Sequence, residues 1–134
     1  GTTMTYEEIV QLVRETYESA DAREIFEHIA VQVNMTGEGG GIFYLEVAER
    51  AISVEPYDYV DRDGLLTLST DTAIAVTKRE ISFKEAVDSG LIRLEGNIEK
   101  IWQLSMIKPA DKKHTAKKNS KKNYPNLEMS IFNK

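Results

Sequence analysis

The chain has 134 residues, with 17 Lys or Arg, 22 Asp or Glu, 2 His and no Cys, for a net charge of −5 at pH 7. That length suits one domain, and the missing cysteines exclude disulfide frameworks, thiolate metal sites and cysteine nucleophiles, while a zinc site would need carboxylates beside His28 and His114, which lie far apart in sequence. No apolar run approaches the roughly 18 to 20 residues of a membrane-spanning helix, and Gly1 to Thr3 run straight into an acidic helix-like stretch, so neither a span nor a signal peptide is expected and the setting is expected to be cytoplasmic.

Thr5, with Glu8 three residues on, has the pattern of a capping box, and Ile9, Leu12, Val13, Tyr17 and Ala20 recur at helical spacing on one face. Asp21 and Glu24 repeat the start signal and predict a short second helix through Phe26. Ile29, Val31, Val33 and Met35 then alternate with Ala30, Gln32 and Asn34 as a half-buried strand does. Gly37, Gly39, Gly40 and Gly41 break that strand, and Ile42 to Val47 and Ala51 to Val54 read as two more, joined by a tight turn near Ala48 to Arg50. Pro56 ends the third strand, Asp58, Asp61, Asp63 and Gly64 make a polar loop, and Leu65 to Leu68 is a fourth strand. Ser69 or Thr70 caps a helix presenting Ala73, Ile74, Val76 and Thr77. A second capping box pairs Ser82 with Glu85 over Phe83, Ala86 and Val87, and Gly90 stops that helix. Leu91 to Glu95 alternates as a fifth strand, Gly96 and Asn97 turn the chain, and Ile98, Ile101, Trp102, Leu104 and Met106 form a last amphipathic helix. The expected class is α+β, a five-stranded, largely antiparallel sheet covered by helices on one face.

Charge divides the chain more sharply than its total suggests. Residues 108–134 hold eight lysines against Asp111 and Glu128, which puts this tail at +6 and the preceding body at −11. The body, residues 1–107, carries the periodic apolar sequence and is expected to fold. The tail has few apolar residues before Tyr124, and Pro109 discourages continuation of the last helix, so flexibility is expected there. So acidic a body argues against nucleic-acid binding, whereas the tail lysines would gain on the order of 1 kcal/mol each beside an anionic membrane. Apolar character returns at Tyr124, Leu127, Met129, Ile131 and Phe132, a stretch suited to docking back on the body.

Motifs for other chemistry are weak. Gly37 to Gly41 has the glycine content of a phosphate loop, yet a strand rather than a helix follows, so a hairpin turn is the reading. With Gly64 at the sixth position of a calcium loop, Tyr59 and Thr70 would fall where acidic ligands belong, and the Asp58, Asp61, Asp63 cluster reads as a solvated turn. His28 has no nearby catalytic partner, and no serine sits in a Gly-x-Ser-x-Gly elbow. No catalytic residue, metal site or cofactor is therefore assigned.

The run Asp63 to Asp71 (DGLLTLSTD), followed by Ala86 to Asn97 (AVDSGLIRLEGN), resembles the sterol carrier protein 2 family, with Gly90 to Gly96 its most specific piece. The likeness extends over roughly residues 24–107, since the run from Phe26 to Val47 is compatible with the family's first hairpin. Two departures stand near the family's ligand cavity: Thr77 Lys78 Arg79 Glu80 replaces a loop that often contains Gly, and Ser89 stands where the animal proteins have Gln. The resemblance implies a non-catalytic domain whose sheet and helices enclose an apolar tunnel for a fatty acid, acyl thioester, sterol or isoprenoid. Candidate wall residues are Ile74, Phe83, Val87, Ile101, Trp102 and Met106 from the helices and Phe43 and Leu45 from the sheet. The alternative it implies is an accessory or scaffold domain for a partner enzyme in lipid or quinone metabolism, with no ligand of its own.

Overall fold

The structure, a computed structural model, describes residues 4–58 and 60–108. The Lys-rich tail beyond Lys108, with its returning apolar stretch, lies outside the described residues. Strands β1 (Ile29–Thr36), β2 (Gly41–Ala48), β3 (Ala51–Glu55), β4 (Gly64–Ser69) and β5 (Arg93–Gly96) form one sheet in the order β3-β2-β1-β4-β5. Every neighbouring pair is antiparallel except β1 and β4, which run parallel. Helices α1 (Tyr6–Tyr17), α2 (Thr70–Thr77), α3 (Phe83–Asp88) and α4 (Ile98–Ile101) complete the α+β architecture, and α4 passes into a 3-10 turn over Trp102–Met106.

Strand alternation decides which side chains meet the helices. Val33 lies opposite Phe43 on one side and Leu66 on the other, and Val31 pairs with Leu45, so the β1, β2 and β4 residues of one parity form a single apolar face. Ile9, Val10 and Val13 of α1, Ala73 of α2, Ala86 of α3, Ile101 and Leu104 bury themselves in the same core. The opposite face is crossed by the chain between β3 and β4. Tyr57 meets Tyr44 edge-on at 5.2 Å between ring centroids, and Arg62 donates to Gln32 at 3.1 Å. That crossing is what brings β4 parallel to β1, because a hairpin can only reverse the chain.

The loop before β4 is more than the solvated turn its aspartates suggest. Asp63 Oδ2 accepts the Ala30 amide at 2.8 Å, Lys100 Nζ donates to Oδ1 at 3.0 Å, and both side chains are largely buried. Burial alone would raise its pKa, but the Ala30 amide and the Lys100 ammonium hold the carboxyl below its usual value. His28, also nearby, lies 2.6 Å from Glu46 on the neighbouring strand.

Four local expectations need correction. Residues 21–26 are not helical: Asp21 spends its side chain on the Arg23 amide (2.9 Å) and guanidinium, which makes a turn, while its backbone bridges Lys108 through two hydrogen bonds. Helix α1 stops at Tyr17, short of Ala20. Strand β5 begins at Arg93, because the Leu91 and Ile92 amides both turn back to the Ala86 carbonyl. The last helix is one α turn followed by a 3-10 turn, so its apolar positions do not form one continuous stripe.

Candidate functional site: an apolar chamber and its mouth

Helix α1 is placed by two devices. The predicted capping box is present, with the Glu8 amide donating to Thr5 Oγ1 at 3.1 Å and the Thr5 amide to Glu8 Oε1 at 2.9 Å. At its other end Arg14 donates twice to the Val54 carbonyl, at 3.1 and 3.0 Å, and pins the helix to β3. Val13 and Tyr17, four residues apart, therefore face inward at the end of the helix. Ser69 is the cap of α2, accepting the Thr72 amide at 3.0 Å, and the second capping box, Ser82 with Glu85, starts α3 and sets Phe83 at its first position.

Between these elements and the sheet lies an apolar cavity of about 90 Å³. Val33, Phe43, Leu45, Leu66 and Leu68 form its floor; Val13, Tyr17, Ala73, Val76, Thr77 and Phe83 its helical wall; Ile92, Leu104 and Ile107 close the rest. A wider groove of about 460 Å³ adjoins it, lined by Arg79, Glu80, Ile81, Ser82, Lys84, Glu85 and Ser105. Tyr17, Val76, Phe83, Leu104 and Ile107 line both, so the apolar chamber and the groove, which carries the charged side chains and is called its mouth, abut along a shared wall. The Tyr17 hydroxyl lies near Thr77 at this junction. Burial pushes its pKa above the ordinary value, and Thr77 and the Arg79 charge pull it part of the way back.

Of the eight wall residues expected from sequence, Phe43, Leu45 and Phe83 line the chamber. The other five do not. Ile101 is fully buried beneath Gly64, Trp102 stands behind Phe83 with ring centroids 5.9 Å apart, and Ile74, Val87 and Met106 pack half-buried against the core. The chamber residues missed were hidden for a simple reason: Val33, Leu66 and Leu68 become neighbours only through the parallel pairing, which no local pattern shows. Val13 and Tyr17 were visible as the apolar face of α1. Among the described residues no three His, Asp or Glu side chains are grouped to hold a metal ion, and no helix is long and apolar enough to cross a membrane.

No family model matches the sequence, and no curated protein does. Solved structures do match. Sterol carrier protein 2-like 2 from Aedes aegypti aligns over 79% of this chain and 98% of its own, at 18% identity and a TM-score of 0.59. A solution structure of the palmitated form of that protein aligns over 77% and 93%, at 17% identity and a TM-score of 0.58. The inverting sec-alkylsulfatase Pisa1 from Pseudomonas sp. aligns over 81% of this chain but 17% of its own, at 12% identity and a TM-score of 0.60. The UbiJ-SCP2 ubiquinone synthesis protein aligns over 75% and 90%, at 15% identity and a TM-score of 0.52. The fold is thus that of a sterol carrier protein 2-like domain, as the Gly90 to Gly96 motif suggested.

Proposed function

We propose that the protein binds an apolar or amphipathic ligand, a fatty acid, acyl thioester, sterol or isoprenoid, without chemically converting it, in a cytoplasmic setting. The observation that carries this reading is an apolar chamber set against a groove with charged side chains, the two sharing five lining residues. Phe43, Leu45 and Phe83 are the wall residues we assign to the ligand, with Trp102 supporting Phe83 from behind. The same fold holding palmitate in a mosquito protein supports it. Each methylene moved from water into such a chamber contributes about 0.8 kcal/mol, so affinity should rise with every carbon the chamber admits.

The chamber's 90 Å³ corresponds to roughly three waters of liquid volume, so a long tail has to extend into the groove or spread the helices from the sheet. That small volume, below the several hundred Å³ usual for ligand pockets, also favours a second reading: a nearly solid accessory domain serving a partner enzyme. Its neighbours include a domain-sized part of a sulfatase and a ubiquinone synthesis protein. Native mass spectrometry of protein purified without detergent, followed by displacement of a fluorescent fatty acid, decides between the two. A co-purified lipid and saturable displacement are expected; a clean apo mass with no displacement would leave the accessory reading.

A further inference from the structure

Helices α2 and α3 end in the same cap, built once with glycine and once with arginine. At the end of α3 the Gly90 amide bonds the Val87 carbonyl at 3.0 Å, the Leu91 amide bonds the Ala86 carbonyl at 2.8 Å, and Gly90 has φ +82°. At the end of α2 the Arg79 amide bonds the Val76 carbonyl at 3.0 Å, the Glu80 amide bonds the Ala75 carbonyl at 2.8 Å, and Arg79 has φ +65°. This motif favours glycine because its turning residue is left-handed. An arginine there strains the backbone that glycine would leave relaxed, and strain retained at a ligand site points to a use for the side chain.

Arg79 lines the mouth, and its charge acts on the Tyr17 hydroxyl at the junction with the chamber. Among the described residues its guanidinium makes no ion pair. Two of the three other charged groups of the groove are engaged, and Glu80 is not. Lys84 lies 3.6 Å from Asp88, and Glu85 accepts the Ser82 amide at 3.2 Å; Glu80, adjacent in sequence, makes no ion pair with Arg79. An uncommitted guanidinium beside an apolar chamber matches an amphipathic ligand whose anion stays at the mouth while its tail goes in.

We infer that Arg79 is a specificity-determining residue, holding an anionic head group at the mouth and so selecting charged ligands over neutral ones with the same tail. The inference rests on the chamber's accepting an apolar tail. Calorimetric titration with dodecanoic acid, dodecyl phosphate and dodecanol separates the two questions, since dodecanol has the same tail without a charge and reports tail binding alone. We expect either or both anions to bind at least about tenfold more tightly than the alcohol, and the order of the two anions distinguishes a carboxylate from a phosphate head group. Arg79→Gly is expected to bring the anions down to the affinity of the alcohol, to leave dodecanol binding unchanged and to raise the melting temperature; Arg79→Lys should keep part of the preference. Dodecanol binding with no preference for the anions would overturn the inference and leave the chamber reading standing. An equal loss for alcohol and anions in Arg79→Gly would make Arg79 structural and overturn it too, and absence of binding by all three ligands would remove both readings.

Discussion

Gly64 shows how tightly one residue can constrain the sheet. It pairs with Gly96 across β4 and β5, and a methyl group added there would run into the Ile101 side chain and the Glu95 carbonyl. The backbone at Glu95 cannot retreat without opening the strand pair, so Gly64→Ala should cost about 1 to 3 kcal/mol in chemical denaturation, in the range of other overpacked cores. Two single groups also shape the pH limits of stability. The Asp63 carboxyl has a lowered pKa when folded, so its contribution is full at neutral pH and fades as acid protonates it below its ordinary value near 4. Asp63→Asn should flatten the acid arm of a stability profile recorded from pH 7 to pH 2 while lowering stability at pH 7. Tyr44 works at the other limit: burial, then the neighbouring Tyr57, pushes its pKa up to about 12. The folded state keeps that proton longer than the unfolded chain, so stability is full below pH 10 and declines toward pH 12. Tyr44→Phe should reduce this alkaline loss.

At the scale of elements, the signals that read true were those satisfied within a few residues. Both capping boxes, Thr5 with Glu8 and Ser82 with Glu85, need only their own helix, and both formed. The Asp21 and Glu24 signal failed because competing partners took its groups: Arg23 claimed the Asp21 carboxylate and Lys108 its backbone. Lys108, placed at the start of the tail by its charge, is thereby tied to the body. Leu91 likewise fits a strand by alternation, yet stays 48% exposed because Ala86 captures its amide. Chamber-lining residues depend on still longer range. Phe43 and Leu45 were recoverable from the alternation of one strand, whereas Leu66 and Leu68 required the β1 and β4 pairing. Ser82→Ala should cost about 1 kcal/mol, the usual worth of a helix cap, measured by thermal unfolding. Because the cap also sets Phe83, the same variant should weaken tail binding in titration with a neutral long-chain alcohol.

The whole molecule joins two structural units across one parallel seam. β1 to β3 form an antiparallel meander, β4 with β5 and the intervening helices form the other unit, and the chamber draws walls from both. Filling it tests whether the space is used. Val76 borders chamber and mouth, so Val76→Phe should lower affinity for an apolar tail by about tenfold or more, equivalent to about 1.4 kcal/mol. If the enlarged side chain seats in the void, the unfolding midpoint should hold.

The bridge between Asp21 and Lys108 bears on rates rather than affinity. It consists of two backbone hydrogen bonds and an exposed contact from Lys108 Nζ to Glu24 at 2.9 Å, and it lies one residue from Ile107, which lines chamber and mouth alike. So small a clasp opens locally at far lower cost than the β1 ladder, and hydrogen exchange should show the Asp21 and Lys108 amides losing protection long before those of Val31 and Val33. Where the chamber holds a ligand as proposed, opening of this two-bond latch would loosen the wall at Ile107 and leave the sheet as stable as its core can make it.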